Sequence, residues 1–145
     1  MKKKISKTDL AWAAGFIDGE GSFFIGRTRQ GKWRYFRVQL KVTQADIRPL
    51  KRLQQMFGGY VYPEKKIYSP LTKRPGWKWM AVDRVGANAV ELMLPFFFLK
   101  RGQAKLLLNM AKRKQRQGKR NLQGNEFSER IALVVKMQKL NRGYS

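Results

Sequence analysis

Hydrophobic and polar positions follow two different periods along the chain, and the switches between them mark its elements. Residues Thr8 to Asp18 have helical spacing, with Thr8 placed as N-cap, Asp9 in the first turn, and Gly19 and Gly21 as the stop. From Ser22 to Thr43 the period falls to two, interrupted at Gln30-Gly31-Lys32, which predicts a β-hairpin. The second strand sorts cleanly, with Phe36, Val38, Leu40 and Val42 alternating with Tyr35, Arg37, Gln39 and Lys41. In the first strand Phe23, Ile25 and Arg27 alternate with Phe24, Gly26 and Thr28, a pattern that does not fix which set faces inward. Ala45 to Phe57 returns to helical spacing on Ile47, Leu50, Leu53 and Phe57, ending at Gly58-Gly59. Tyr60-Val61-Tyr62 and Trp77 to Val82 predict a second hairpin, joined by a long basic loop holding Pro70, Pro75 and Gly76. Val85 to Leu94, ended by Pro95, and Gln103 to Lys114 are the next helices. Phe127 to Leu140 is the last, amphipathic on Phe127, Ile131, Val134, Val135 and Met137. The order αββαββα plus C-terminal helices belongs to the α+β class, and 145 residues suit a single domain, 1–145, around one core.

The first helix has an unusual surface. Ala11, Gly15 and Gly19 recur every fourth residue, so one stripe presents almost bare backbone that another helix can approach closely. The approaching helix is either a second copy of this one or another helix of the same chain. A second unusual stretch, Leu92 to Leu99, is apolar but far shorter than a membrane span and contains Pro95, so it reads as a buried segment.

Charge narrows the partners. Lys and Arg total 32 against 9 Asp and Glu, a formal charge of +23 whose self-repulsion favours a polyanionic partner. Nucleic acid fits best, because phosphates bound by Lys and Arg release condensed counterions, and an anionic membrane surface is second. The run Lys112 to Arg120 is expected as a mobile loop that clamps phosphates without reading sequence. The N-terminus lacks the apolar stretch of a secretory signal, so the protein is expected inside the cell, in the cytoplasm or nucleoid of a prokaryote or in an organelle. No small-molecule substrate and no membrane partner are expected.

The chain has no cysteine and no histidine, which excludes zinc fingers and every mechanism built on an imidazole base. Chemistry must then use carboxylates, Lys, Arg, Gln, Tyr, or a metal held by hard oxygen ligands, which points to Mg²⁺ or a related divalent ion such as Mn²⁺. Within Ala13-Ala14-Gly15-Phe16-Ile17-Asp18-Gly19-Glu20-Gly21, two of the few carboxylates sit where a helix ends. That end is partially negative and prefers Lys or Arg. The acids there either bond nearby main-chain groups or join the carbonyls in a hard-cation site. If two copies pack along the small stripe, the acidic ends arrive side by side and a divalent cation would relieve the repulsion between them.

Ala13 to Gly21 resembles the signature of the LAGLIDADG homing endonucleases, with Ala13 and Ala14 in place of the leading Leu and Ala and Glu20 in place of the second Asp. The element order is similar too. The resemblance implies a four-stranded antiparallel sheet forming a DNA-binding saddle, backed by helices, and the single motif is similar to the homodimeric members. It implies that Glu20 is the metal-binding carboxylate, with the Gly19 carbonyl beside it. Val42-Thr43-Gln44 resembles the strand end whose Gln orders water, which assigns Gln44, with Arg48 in support. Pro95 to Ala104 resembles the stretch with the active-site Lys, which falls on Lys100. Ala11, Gly15, Asp18 and Gly19 would form the dimer interface.

A two-stranded ribbon fits the major groove, and the face Tyr35, Arg37, Gln39, Lys41 offers suitable donors and acceptors, with Arg27 and Arg34 as further basic groups of the same hairpin. The expected function is therefore a homodimeric, Mg²⁺-dependent homing endonuclease of an intron or other mobile element. It would make a double-strand break in a long, near-palindromic DNA target. The alternative is a relative that binds DNA or RNA without cutting, such as a maturase or a regulator. A basic ribosome-associated protein is a third reading, under which the acid pair has no purpose.

Overall fold

The structure, a computed structural model, describes residues 4–30, 33–64, 75–117, 122 and 124–143. Elements follow in the order α1 (Lys7–Glu20), β1 (Gly21–Gln30), β2 (Trp33–Gln44), α2 (Ile47–Phe57), β3 (Tyr60–Glu64), β4 (Gly76–Val82), α3 (Asp83–Met93), α4 (Arg101–Gln117) and α5 (Glu126–Asn141). A 3₁₀ turn over Leu94–Phe96 absorbs Pro95 between α3 and α4. The N-cap of α1 is Ser6, whose hydroxyl accepts from the Asp9 N–H at 3.1 Å, two residues before the expected Thr8. Helix α1 continues through Gly19 to Glu20, and the chain turns straight into β1 at Gly21.

The four strands form one antiparallel sheet in the order β1-β2-β4-β3. Directly opposed residues share a face, so register fixes every phase. Phe23 and Ile25 oppose Leu40 and Val38, and all four are buried with Phe36, Val42, Trp79 and Ala81 against the helices. Leu10, Ala13, Ala14 and Ile17 bring one side of α1 onto this face, and Leu50 and Leu53 do the same for α2. Trp79 is fully buried, and its indole N–H, the one polar atom of that side chain, donates to the Gly58 carbonyl at 2.9 Å. Gly58 and Gly59 both have positive φ, 82° and 89°, so the expected stop after Phe57 is also a turn that disfavours any side chain.

Two expectations fail for identifiable reasons. The run from Leu92 to Leu99 is only partly buried: Met93 and Phe97 are inside, whereas Phe98 is 90% exposed and Leu99 69% exposed. The 3₁₀ turn reorients the chain, so consecutive apolar residues point to different sides. The basic run is not a loop through residue 117. Helix α4 covers it, because Arg113 pairs with Glu126 and Glu129 of α5 at 3.1 and 2.6 Å and Lys114 pairs with Asp83 at 2.7 Å. Residues 118–121 and 123 lie outside the described residues. In α5, Val135 is 43% exposed, and Arg130 occupies a buried position instead, paired to Glu126 at 3.0 Å and donating to the Arg113 carbonyl.

Candidate active site and DNA-facing surface

The end of α1 meets the start of α4, and the two helices exchange charges. Asp18 accepts from the main-chain N–H of Phe98 at 2.8 Å and of Lys100 at 3.0 Å. The Lys100 carbonyl takes the first helical bond of α4, from Ala104, so Asp18 sits at the partially positive end of that helix. In return the Lys100 ammonium donates to the Ile17 carbonyl, in the partially negative last turn of α1, and to the Gly21 carbonyl just beyond it. The carboxylate that looks misplaced at the end of α1 is thus placed by α4. Burial pushes Lys100 below the ordinary lysine value, and the charges of Asp18 and Glu20 oppose that shift.

Glu20, the last residue of α1, is exposed and makes no hydrogen bond or ion pair among the described residues. The next residue, Gly21, opposes Val42 of β2, so Glu20 emerges at the same end of the sheet as Gln44. Lys100 bonds the Gly21 carbonyl and therefore joins them. Arg48 stands apart from this group in one respect: its guanidinium is paired with Asp46, the N-cap of α2, at 2.6 Å. That bond and the Arg48 N–H pull the Asp46 carboxyl down from 3.8 to about 2. Among the described residues no three Asp or Glu side chains come together to hold a metal.

The small stripe of α1 is bare. Ala11, Gly15 and Gly19 are exposed, and a Cβ placed on Gly15 or Gly19 would meet nothing within 4 Å. Of the two expected occupants, a helix of the same chain is thereby excluded among the described residues. Asp18, assigned to the same interface, accepts from the main chain just before α4.

A sequence profile of the LAGLIDADG endonuclease family matches residues 13–73, beginning at the helix that carries Glu20. Over these residues, less than half of its length, the chain is similar to the LAGLIDADG endonucleases. Solved structures of homing endonucleases share its fold. The homing endonuclease I-CvuI, bound to the I-CreI target in the presence of Mg with the DNA not cleaved, superposes with a TM-score of 0.74 at 24% identity, over 92% of this chain and 82% of that one. The archaeal intron-encoded homing endonuclease I-Vdi141I, complexed with DNA, gives 0.71 at 16% identity, over 91% and 83%. A double mutant of I-SmaMI gives 0.69 at 18% identity, over 94% of this chain but 47% of its own. No curated protein matches the chain.

The sheet has one face against the helices and one open face. Arg37, Gln39 and Lys41 lie on the open face in alternation with buried Phe36, Val38, Leu40 and Val42, and Tyr35 has the same phase, although its side chain lies outside the described ones. Arg27 corrects the expectation. Arg27 opposes Phe36, so it is on the helix side, where its guanidinium lies 5.7 Å from the centre of the Phe127 ring of α5. Arg34 is in phase with Phe36 by register, with its side chain outside the described ones. Sequence reasoning missed the other contributors to the open face. Phe24 opposes Gln39, while β4 and β3 add Lys78, Met80, Tyr60 and Tyr62, of which Tyr60 is 67% exposed. Arg37 is steadied from the edge by Asp83, 3.5 Å away, which also accepts from the Val38 N–H and holds a positive φ of 49°.

Proposed function

We propose that this protein is a site-specific DNA endonuclease that works as a homodimer and hydrolyses phosphodiester bonds with a divalent cation. The observation that carries the reading is the exposed Glu20, which makes no hydrogen bond or ion pair among the described residues and whose charge acts on the Lys100 ammonium, at the end of a sheet whose open face presents Arg37, Gln39 and Lys41. The relatives with the same fold were solved on DNA, some with Mg or Ca, which supports both the substrate and the metal class.

A single Glu20 is too few ligands for a hard cation. Two copies joined along Ala11, Gly15 and Gly19 would bring two Glu20 carboxylates together, with the Gly19 carbonyls and DNA phosphate oxygens completing the set. The match to just under half of I-SmaMI supports a two-copy assembly. When bound, Mg²⁺ or Mn²⁺ supplies Lewis acidity toward phosphate and an activated water. The residues of this chain do the rest. Lys100 uses two of its three N–H donors on the Ile17 and Gly21 carbonyls, which fixes the ammonium and leaves one donor for the charge that develops on the phosphate. Gln44 orients water at the strand end. Arg48 leaves Asp46 to join that network or a phosphate.

Strand β2, with 12 residues, spans about 40 Å, so two copies cover roughly twenty base pairs. A cell compartment that holds the target DNA is the place of action, and among the described residues no helix is long and apolar enough to cross a membrane. The test is selection of cleaved plasmids from a randomised library with Mg²⁺ present. Recovery of one near-palindromic sequence class is expected. A library that is bound and enriched but never cut would favour the non-cutting relative.

A further inference from the structure

Phe24 stands 44% exposed on the open face, opposite Gln39 and next in the same row to Gly26, which opposes Arg37. The ring is a large apolar surface set among the polar groups of Arg37, Gln39 and Lys41. Its placement is specific. A Cβ on Gly26 would lie 2.1 Å from the Phe24 Cζ and 2.4 Å from Cε1, so the ring lies flat across the glycine, and Gly26 is buried beneath it. Gln39 leans the other way, its amide donating to the Met80 sulfur at 2.6 Å, which leaves the outer side of the ring open.

We propose that Phe24, seated on Gly26, reads a thymine by contact with its 5-methyl group and so sets base preference at one position of each half-site. In the major groove the base edges are polar apart from that methyl, which is the one feature that an apolar ring can select. The proposal rests on the DNA-reading role of this face.

The test replaces the thymines of the selected target by deoxyuridine, one at a time in one half-site, and measures binding by the wild-type protein. Burial of one methyl corresponds to about a four-fold change in affinity. A loss of that size is expected at one position. Phe24→Ala is expected to bind the thymine and deoxyuridine targets equally, as is Gly26→Ala, whose new Cβ displaces the ring. Phe24→Leu should keep part of the discrimination and shows that the surface still folds and binds. The inference is overturned if no deoxyuridine position matters to the wild-type protein, or if Phe24→Ala keeps the full four-fold loss. Recovery of no DNA target at all would overturn the endonuclease reading together with this one, and is distinguishable from either result.

Discussion

Replacing Asp18 by Ala tests the helix-to-helix exchange on which the site is built. The wild-type carboxylate accepts two main-chain N–H groups, from Phe98 and Lys100, across 80 and 82 residues of sequence. Loss of a charged acceptor costs about 1.5–3 kcal/mol per bond when the partner is left unsatisfied, and partial exposure places both bonds toward the low end. Removing a negative charge from the end of α1 returns roughly 0.3–1 kcal/mol. The net loss is about 2–3 kcal/mol, and for a chain near 150 residues each kcal/mol lowers the melting temperature by roughly 2–4 °C, so a drop of roughly 5–10 °C is expected. Thermal unfolding followed by circular dichroism measures it. Asp18→Asn should fall between the two, because its amide oxygen can accept from one N–H while its NH₂ faces the other. A melting temperature within about 1 °C of wild type for Asp18→Ala would refute the exchange, and an increase would mean that the α1 dipole penalty outweighs both bonds.

Gly15→Leu should separate assembly from folding. Nothing lies within 4 Å of a Cβ at Gly15, so the single chain accommodates the leucine and gains roughly 0.5–1 kcal/mol of helix propensity. The dimer should be lost in sedimentation velocity, and an unchanged dimer would sink the proposed interface. At the α2 cap, the Asp46 carboxyl should titrate at about 2 in carboxylate NMR and return toward 3.8 in Arg48→Ala. Because the folded-state value is depressed, the contribution to stability is complete above 3.8 and fades as pH falls toward about 2. An Asp46 midpoint that ignores Arg48→Ala would show that the pair does not form in solution.

What the chain disclosed in advance followed physical periodicity. The β2 alternation survived intact because each of Phe36, Val38, Leu40 and Val42 meets the helices, and the small stripe on α1 stays bare among the described residues. The β1 phase was not visible, since Phe24 faces out and Arg27 faces in, and both oppose the usual pattern. Only pairing with β2 settles it. The purpose of Asp18 was equally hidden. A carboxylate at a helix C-terminus reads as a functional anomaly, and the backbone that accounts for it arrives some 80 residues later. Glu20 keeps the anomaly to itself, since it has the same unfavourable helix end and no such main-chain partner among the described residues.

Glu20→Gln is the most direct test of the central claim, because the amide keeps the side chain's shape and removes the charge that a divalent ion needs. On the target recovered from the library, with Mg²⁺ present, the account predicts that the variant binds DNA with close to wild-type affinity and yields no double-strand break. Cleavage at the wild-type rate by Glu20→Gln would contradict it.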